Sequence, residues 1–134
     1  MPSILGASHV ALTVRDMDAS AEWYQRVFGW MVLRRYAAGE AGTPRIILFD
    51  PASFFAVGLC QPTDGSGDAF DHRRTGLDHF ALLVADQAEL DSWAAHLDEV
   101  GVIHSPVRET EVGRFVSFED PDGIQFELWL NPGS

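Results

Sequence analysis

Two histidines and one glutamate carry the chemistry this chain offers. His9 opens the alternating stretch Ser8-His9-Val10-Ala11-Leu12-Thr13-Val14, and His79 opens the similar Asp78-His79-Phe80-Ala81-Leu82-Leu83-Val84. Glu127 lies in the middle of Ile124-Gln125-Phe126-Glu127-Leu128-Trp129-Leu130, where a carboxylate among large apolar neighbours is costly to bury without a partner. Imidazoles and carboxylates together are ligands for divalent metals, so the three residues form a candidate metal site. Singly, each has a plainer reading: a structural or solvated histidine, or an exposed strand carboxylate. Repetition and strand parity are what favour the joint one.

A shift of 70 residues brings the two halves of the chain into register. It pairs His9 with His79, Ala11 with Ala81, Leu12 with Leu82, Val14 with Val84, Asp16 with Asp86, Trp23 with Trp93 and Asp50-Pro51 with Asp120-Pro121. A single offset that holds at both ends of each half argues for duplication. Each half reads βαβββ. In the first, a strand over 7–15 precedes a helix capped by Asp18 that carries Ala21, Tyr24, Val27 and Phe28 and stops at Gly29. Strands near 31–37, 45–50 and 54–61 follow. In the second, a strand over 78–85 leads to a capping box from Asp86 to Glu89 and a helix presenting Leu90, Trp93, Leu97 and Val100 before Gly101. Strands near 103–110, 114–119 and 124–130 complete it. The fold class is therefore α+β: module 1 over about 7–62, a Gly/Asp-rich linker over 63–76, and module 2 over about 77–132. The linker is long for a plain connection, which leaves a lid or substrate contact open beside the simple reading.

Successive strand residues face opposite sides, so parity separates core from site. Val10, Leu12 and Val14, then Phe80, Leu82 and Val84, then Phe126, Leu128 and Leu130 make the helix-packed faces. His9, His79 and Glu127 fall on the other side. By the same parity Phe55, Val57, Leu59 and Trp129 are expected to line an apolar pocket wall, although core packing explains them as well.

Bulk properties exclude other classes. At 134 residues and 46% hydrophobic content the chain can bury a core without disulfides or a structural metal. A net charge of −11 and nine scattered basic residues disfavour nucleic acid and anionic membranes. No stretch has the length of a membrane span, the amino terminus lacks a leader pattern, and the single cysteine, Cys60, fits a reducing compartment, so the expected location is the cytoplasm. Cys60 itself reads as a small buried strand residue.

Two βαβββ modules, each opened by a His-hydrophobic alternation, with Phe118-Glu119-Asp120-Pro121-Asp122-Gly123-Ile124-Gln125-Phe126-Glu127-Leu128 closing the second, resemble the vicinal oxygen chelate superfamily. This is the group of glyoxalase I, bleomycin resistance proteins, extradiol dioxygenases and fosfomycin thiol transferases. The resemblance spans essentially the whole chain. It implies curved mixed sheets around a cavity, helices outside, and a divalent ion (Fe, Mn, Zn or Ni) held by His9, His79 and Glu127. At the shift of 70 the fourth ligand position falls on Val57, which cannot bind a metal, and this departs from the four-ligand pattern of glyoxalase I. The set left over is similar to that of extradiol dioxygenases, and also to that of fosfomycin thiol transferases. His72 and Tyr36 are candidate acid/base residues beside Glu127. The implied activity is metal-dependent chemistry on vicinal oxygens of a small lipophilic or aromatic substrate, with dioxygenase chemistry ahead of lyase, isomerase or thiol-transfer chemistry. The rival is a metal-free, bleomycin-resistance-like protein that sequesters a small molecule. Exposed sheet edges imply a homodimer, with sites shared between chains as one arrangement.

Overall fold

The structure is a computed structural model that describes residues 1–40 and 42–133. It divides into two compact units, Met1–Asp68 and Ala69–Ser134, meeting inside the 63–76 segment. Unit 1 holds β1 (His9–Thr13), α1 (Met17–Phe28), β2 (Met31–Tyr36), β3 (Arg45–Phe49) and β4 (Ala56–Cys60). Unit 2 repeats the order with β5 (His79–Leu83), α2 (Gln87–Glu99), β6 (Arg108–Thr110), β7 (Gly113–Glu119) and β8 (Gln125–Leu130). Each unit is thus a βαβββ module, and the chain is α+β. The sheets run β1-β4-β3-β2 and β5-β8-β7-β6, with the first pair of each parallel and the rest antiparallel.

Capping sets the helix limits. Asp16, not Asp18, caps α1: its extended backbone lets the carboxylate accept from the N–H groups of Asp18 and Ala19 at 3.1 and 3.0 Å. Asp18 lies in the first turn, where it suits the positive helix end, and it pairs with Arg35. Gly29 ends the helix in the left-handed region at φ 71°. Asp86 caps α2, accepting from Glu89 N–H at 2.9 Å. Helix α1 packs Tyr24 and Val27 on β3 and β4, whose Ile46, Leu48, Val57 and Leu59 are buried with them. Helix α2 packs Leu90 and Leu97 on β7 and β8, against Val116, Phe118, Phe126, Leu128 and Leu130. Strand β6 is shorter than its hydrophobic pattern suggests. Only an isolated bridge, His104 to Phe118, precedes it, and Pro106, which has no N–H to give the ladder, separates the two.

The register of the inner strands corrects the face assignment in unit 1. Val10 pairs with Val57 and Leu12 with Leu59, so these four point to the same side, the one covered by α1. Val57 and Leu59 are therefore core residues, 1% and 0% exposed, and not a pocket wall. Phe55 lies in the turn before β4. The cause is one extra residue. In unit 2 the Asp120 N–H donates to the Ile124 carbonyl, whereas in unit 1 the Asp50 N–H reaches past that spacing to Phe55. The turn accommodates the insertion by placing Phe54 at φ 60°, where Gly123 takes φ 83° in the other unit. Beyond the turn the repeat offset falls from 70 to 69. Ala11 pairs with Gly58 as Ala81 pairs with Glu127, so the structural mate of Glu127 is Gly58.

Candidate metal centre

The helix-free face of unit 2 brings His79 and Glu127 together. Residues 79, 81 and 83 of β5 stand beside 125, 127 and 129 of β8, in register with 119, 117 and 115 of β7. Glu127 sits one row in from His79, with its side chain 8% exposed against 40% for the imidazole. Its Oε2 lies 3.5 Å from His79 Nε2, and its Oε1 accepts from Gln125 Nε2 at 3.4 Å.

The other side of the imidazole is fixed. His79 Nδ1 lies 2.7 Å from Asp78 Oδ1, and because a carboxylate only accepts, Nδ1 carries the hydrogen. In the neutral ring this leaves the Nε2 lone pair aimed at a carboxylate. Two acceptors facing each other repel, and a cation between them resolves the conflict. The spacing suits that role: two ligand atoms each about 2.1 Å from one ion lie about 3.0–3.4 Å apart in cis or tetrahedral positions. A carboxylate behind a ligating imidazole is also the usual way to set its tautomer and raise its basicity. The donor set in unit 2 fits a divalent ion, which His79 and Glu127 would hold with Asp78 behind them.

His9 occupies the corresponding place in unit 1, exposed at the start of β1 on the helix-free face, with its Nδ1 3.0 Å from Ser8 Oγ. Ser8 and Asp78 are thus repeat mates that both hold the far nitrogen of a histidine. Sequence reasoning passed over them. The available signal was a polar residue one position before each His at the same offset of 70. Among the described residues, no group of three His, Cys, Asp or Glu side chains stands at metal-holding spacing.

The other candidates are placed as follows. Trp129 shares the face of Glu127, stacks on Phe115 at 5.6 Å and 13°, and donates from Nε1 to Asn131 Oδ1. Its indole lies over Gly113, where an added Cβ would come within 2.7 Å of the ring and 2.5 Å of the Leu130 carbonyl. His72 is exposed in the loop before β5 and makes no hydrogen bond or ion pair among the described residues. Tyr36 ends β2 on the helix-free face of unit 1, flanked by Arg34 and Arg45. Cys60, read as buried, is half-buried on that same face, in register with Thr13 and Arg45.

Comparison with known proteins agrees with this architecture. Residues 6–128 match the family model of the Glyoxalase/Bleomycin resistance protein/Dioxygenase superfamily. The chain is 31% identical over 139 residues to a catechol-2,3-dioxygenase of Bacillus subtilis (strain 168), covering 98% of this chain and 44% of that one. It is 34% identical over 124 residues to the lactoylglutathione lyase GLX1 of Arabidopsis thaliana, covering 90% and 42%. It spans less than half the length of either relative. Among solved structures, a glyoxylase/bleomycin resistance protein/dioxygenase domain from Frankia sp. EAN1pec superposes with a TM-score of 0.86 at 32% identity, covering 98% of this chain and 96% of that one. A mutant of the fosfomycin resistance protein FosX from Listeria monocytogenes, complexed with Mn(II) and 1S,2S-dihydroxypropylphosphonic acid, shares the fold at 21% identity and a TM-score of 0.69, covering 98% and 93%. With two βαβββ units and a family match over most of its length, the chain belongs to the glyoxalase/bleomycin resistance protein/dioxygenase superfamily.

Proposed function

We propose that this protein is a metal-dependent enzyme acting on vicinal oxygens of a small substrate, with His79, Glu127 and His9 as the protein ligands of a divalent ion. The observation that carries the reading is the His79–Glu127 pair, an imidazole nitrogen 3.5 Å from a nearly buried carboxylate, with the ring held from behind by Asp78. When bound, such an ion acts as a Lewis acid on substrate oxygens. The chain's own residues do the rest. Asp78 holds the imidazole orientation, Gln125 steadies the carboxylate, and the Trp129–Phe115 stack offers an aromatic surface on the same face.

Dioxygenase chemistry on a catechol-type diol is the favoured reaction. The supporting observation is the similarity to a catechol-2,3-dioxygenase along 98% of this chain. Gly58, at the position that mirrors Glu127, supplies no fourth side-chain ligand, and this weighs against the four-ligand glyoxalase I pattern despite the similarity to GLX1. His72 stays a candidate acid/base residue on chemistry alone. A homodimer is part of the proposal: β2 and β6 are sheet edges, β2 exposes Met31, Val32 and Leu33, and two copies would together approach the length of the dioxygenase relative. In that assembly His9 serves either its own chain or its partner. No helix among the described residues is long and apolar enough to cross a membrane, and the free thiol of Cys60 suits the cytoplasm.

The test is metal analysis of protein purified without added metal, beside His79→Ala and Glu127→Gln, followed by oxygen uptake with ferrous iron and a catechol panel. About one equivalent of metal in the parent and its loss in both variants is the expected result. Failure to hold Fe, Mn, Zn or Ni after reconstitution would sink the enzyme reading and leave the metal-free binding protein. Metal without catechol-dependent oxygen uptake would remove the dioxygenase assignment alone.

A further inference from the structure

We infer that Leu83, Trp129 and Phe115 form an apolar subsite one strand row beyond Glu127, so that the ligand of this face carries an aryl or similarly broad apolar group on the side opposite its paired oxygens. The inference rests on the function proposed above and deepens it, by naming the part of the substrate that lies away from the oxygens.

Register divides the helix-free face of unit 2 into three rows. His79, Gln125 and Glu119 make the first, Ala81, Glu127 and Ser117 the second, and Leu83, Trp129 and Phe115 the third. Polar side chains thus end at the second row, and the third is apolar throughout. Two strand residues separate Glu127 from Trp129, a step of roughly 6.6–6.8 Å along the strand. The neighbours of Glu127 within its own row are small, Ala81 on one side and Ser117 on the other. A flat group whose oxygens stand at the His79–Glu127 pair can therefore run over the second row without obstruction. A single ring is used up in crossing that distance, and a group attached to its far side lies on the indole.

The third row is built for a flat surface. Three contacts fix the Trp129 ring: it stacks on Phe115 at 5.6 Å and 13°, its Nε1 donates to Asn131 Oδ1 at 3.1 Å, and it lies in the space that Gly113 leaves by having no side chain. With its one donor satisfied, the indole has only apolar surface left to offer. None of the three residues belongs to the core. The core of unit 2 is made by the opposite parity, Val116, Phe126, Leu128 and Leu130, packed on Leu90 and Leu97 of α2. Leu83 by contrast is 68% exposed, and Trp129 and Phe115 are half-buried. Three large apolar side chains contiguous with a polar pair on the helix-free side of a sheet have the composition of a ligand surface, which scattered apolar residues lack.

The experiment is calorimetric titration of metal-free, chelator-treated protein and of zinc-loaded protein with catechol, 4-phenylcatechol and 3,4-dihydroxybenzoate. The first has no extension, the second an apolar one and the third a charged one. Trp129→Leu and Phe115→Leu are the test variants, each checked for folding by circular dichroism, and Trp93→Phe on α2 is the control. The expected pattern is at least tenfold tighter binding of 4-phenylcatechol than of catechol in metal-free protein, with no such gain for 3,4-dihydroxybenzoate. The gain shrinks below threefold in Trp129→Leu and Phe115→Leu and persists in Trp93→Phe. No binding of 4-phenylcatechol by metal-free protein, equal affinity for it and for catechol, or a gain that survives in both test variants would each overturn the inference. Tighter catechol binding with zinc but no gain from the phenyl group would overturn it while leaving the metal reading in place. A phenyl gain without any effect of zinc would do the reverse.

Discussion

Replacing Val57 by alanine and, separately, Gly58 by alanine changes one strand by small, opposite amounts and decides which of its faces is the site. Val57 is 1% exposed between Val10 and Leu48. Its truncation removes two buried carbon groups worth about 0.8 kcal/mol each, plus a cavity term of about 24 cal/mol per Å³ for the fraction of the vacated space that does not close. The sum is about 2–3 kcal/mol of lost stability. Gly58 faces the other way, and its backbone is not left-handed. A methyl group there meets Ala11 Cβ at 3.5 Å, and the unfolded chain loses freedom, so Gly58→Ala falls between neutral and about 1 kcal/mol more stable. Urea unfolding of the two variants against the parent measures both, with unchanged m-values as the check that only stability moved. A near-neutral Val57→Ala together with a Gly58→Ala costing more than about 1.5 kcal/mol would refute the register, return Val57 to the cavity and restore it as the mate of Glu127.

Other outcomes follow from the site. Asp78→Asn keeps the shape behind His79 but removes the anionic acceptor, so metal affinity falls about 10- to 100-fold by competition with a chelating dye, while the folded circular dichroism spectrum persists. Undiminished affinity would remove Asp78 from the site. Gly113→Ala forces a Cβ against the Leu130 carbonyl at 2.5 Å and the Trp129 ring at 2.7 Å from φ 151°, and is expected to cost about 2–4 kcal/mol with altered tryptophan fluorescence; a silent substitution would mean the indole does not lie where described. In the 63–76 segment, the two hydrogen bonds that Arg73 makes to Asp71, from Nε and Nη2 at 2.9 Å each, hold its carboxyl below the ordinary 3.8. A depressed carboxylate contributes fully above its unfolded value and progressively less as pH falls below it, so proteolysis of this loop quickens below about pH 4 and Asp71→Asn reproduces the effect at pH 7. A loop equally resistant at pH 3 and 7 would contradict this.

How much was legible in the sequence depends on what each inference required. The βαβββ repeat rests on local signals, namely alternation, caps and Gly stops, and each half carries its own copy. Helix ends are legible only to within a residue or two when several acids compete. Asp16 and Asp18 are both good caps on paper, and the choice falls to the one whose backbone is extended. The face of β4 was illegible because parity propagates from an anchor. Asp50-Pro51 and Asp120-Pro121 fix the offset at 70, but a single residue inserted after them reverses every later assignment in that strand. A sign of the insertion is that Phe54 takes the left-handed position of the turn, where the second unit has Gly123.

The same slip explains why the two units are chemically unequal despite their common plan. In unit 2 the middle position of the helix-free row on the last strand is Glu127, beside a histidine whose far nitrogen is held by a full carboxylate. In unit 1 the matching position is Gly58, and the matching histidine is held by a hydroxyl. An anionic acceptor raises imidazole basicity more than a neutral one does, so His79 is the better placed of the two histidines for the proposed ion. Unit 1 instead carries, at the far edge of its sheet, the guanidinium groups of Arg34 and Arg45 against the Tyr36 ring. One βαβββ unit thus carries a histidine–carboxylate pair on its helix-free face, and the other has a glycine where that carboxylate would stand. Such inequality is what a duplicated fold permits once each copy varies at matching positions independently of the other.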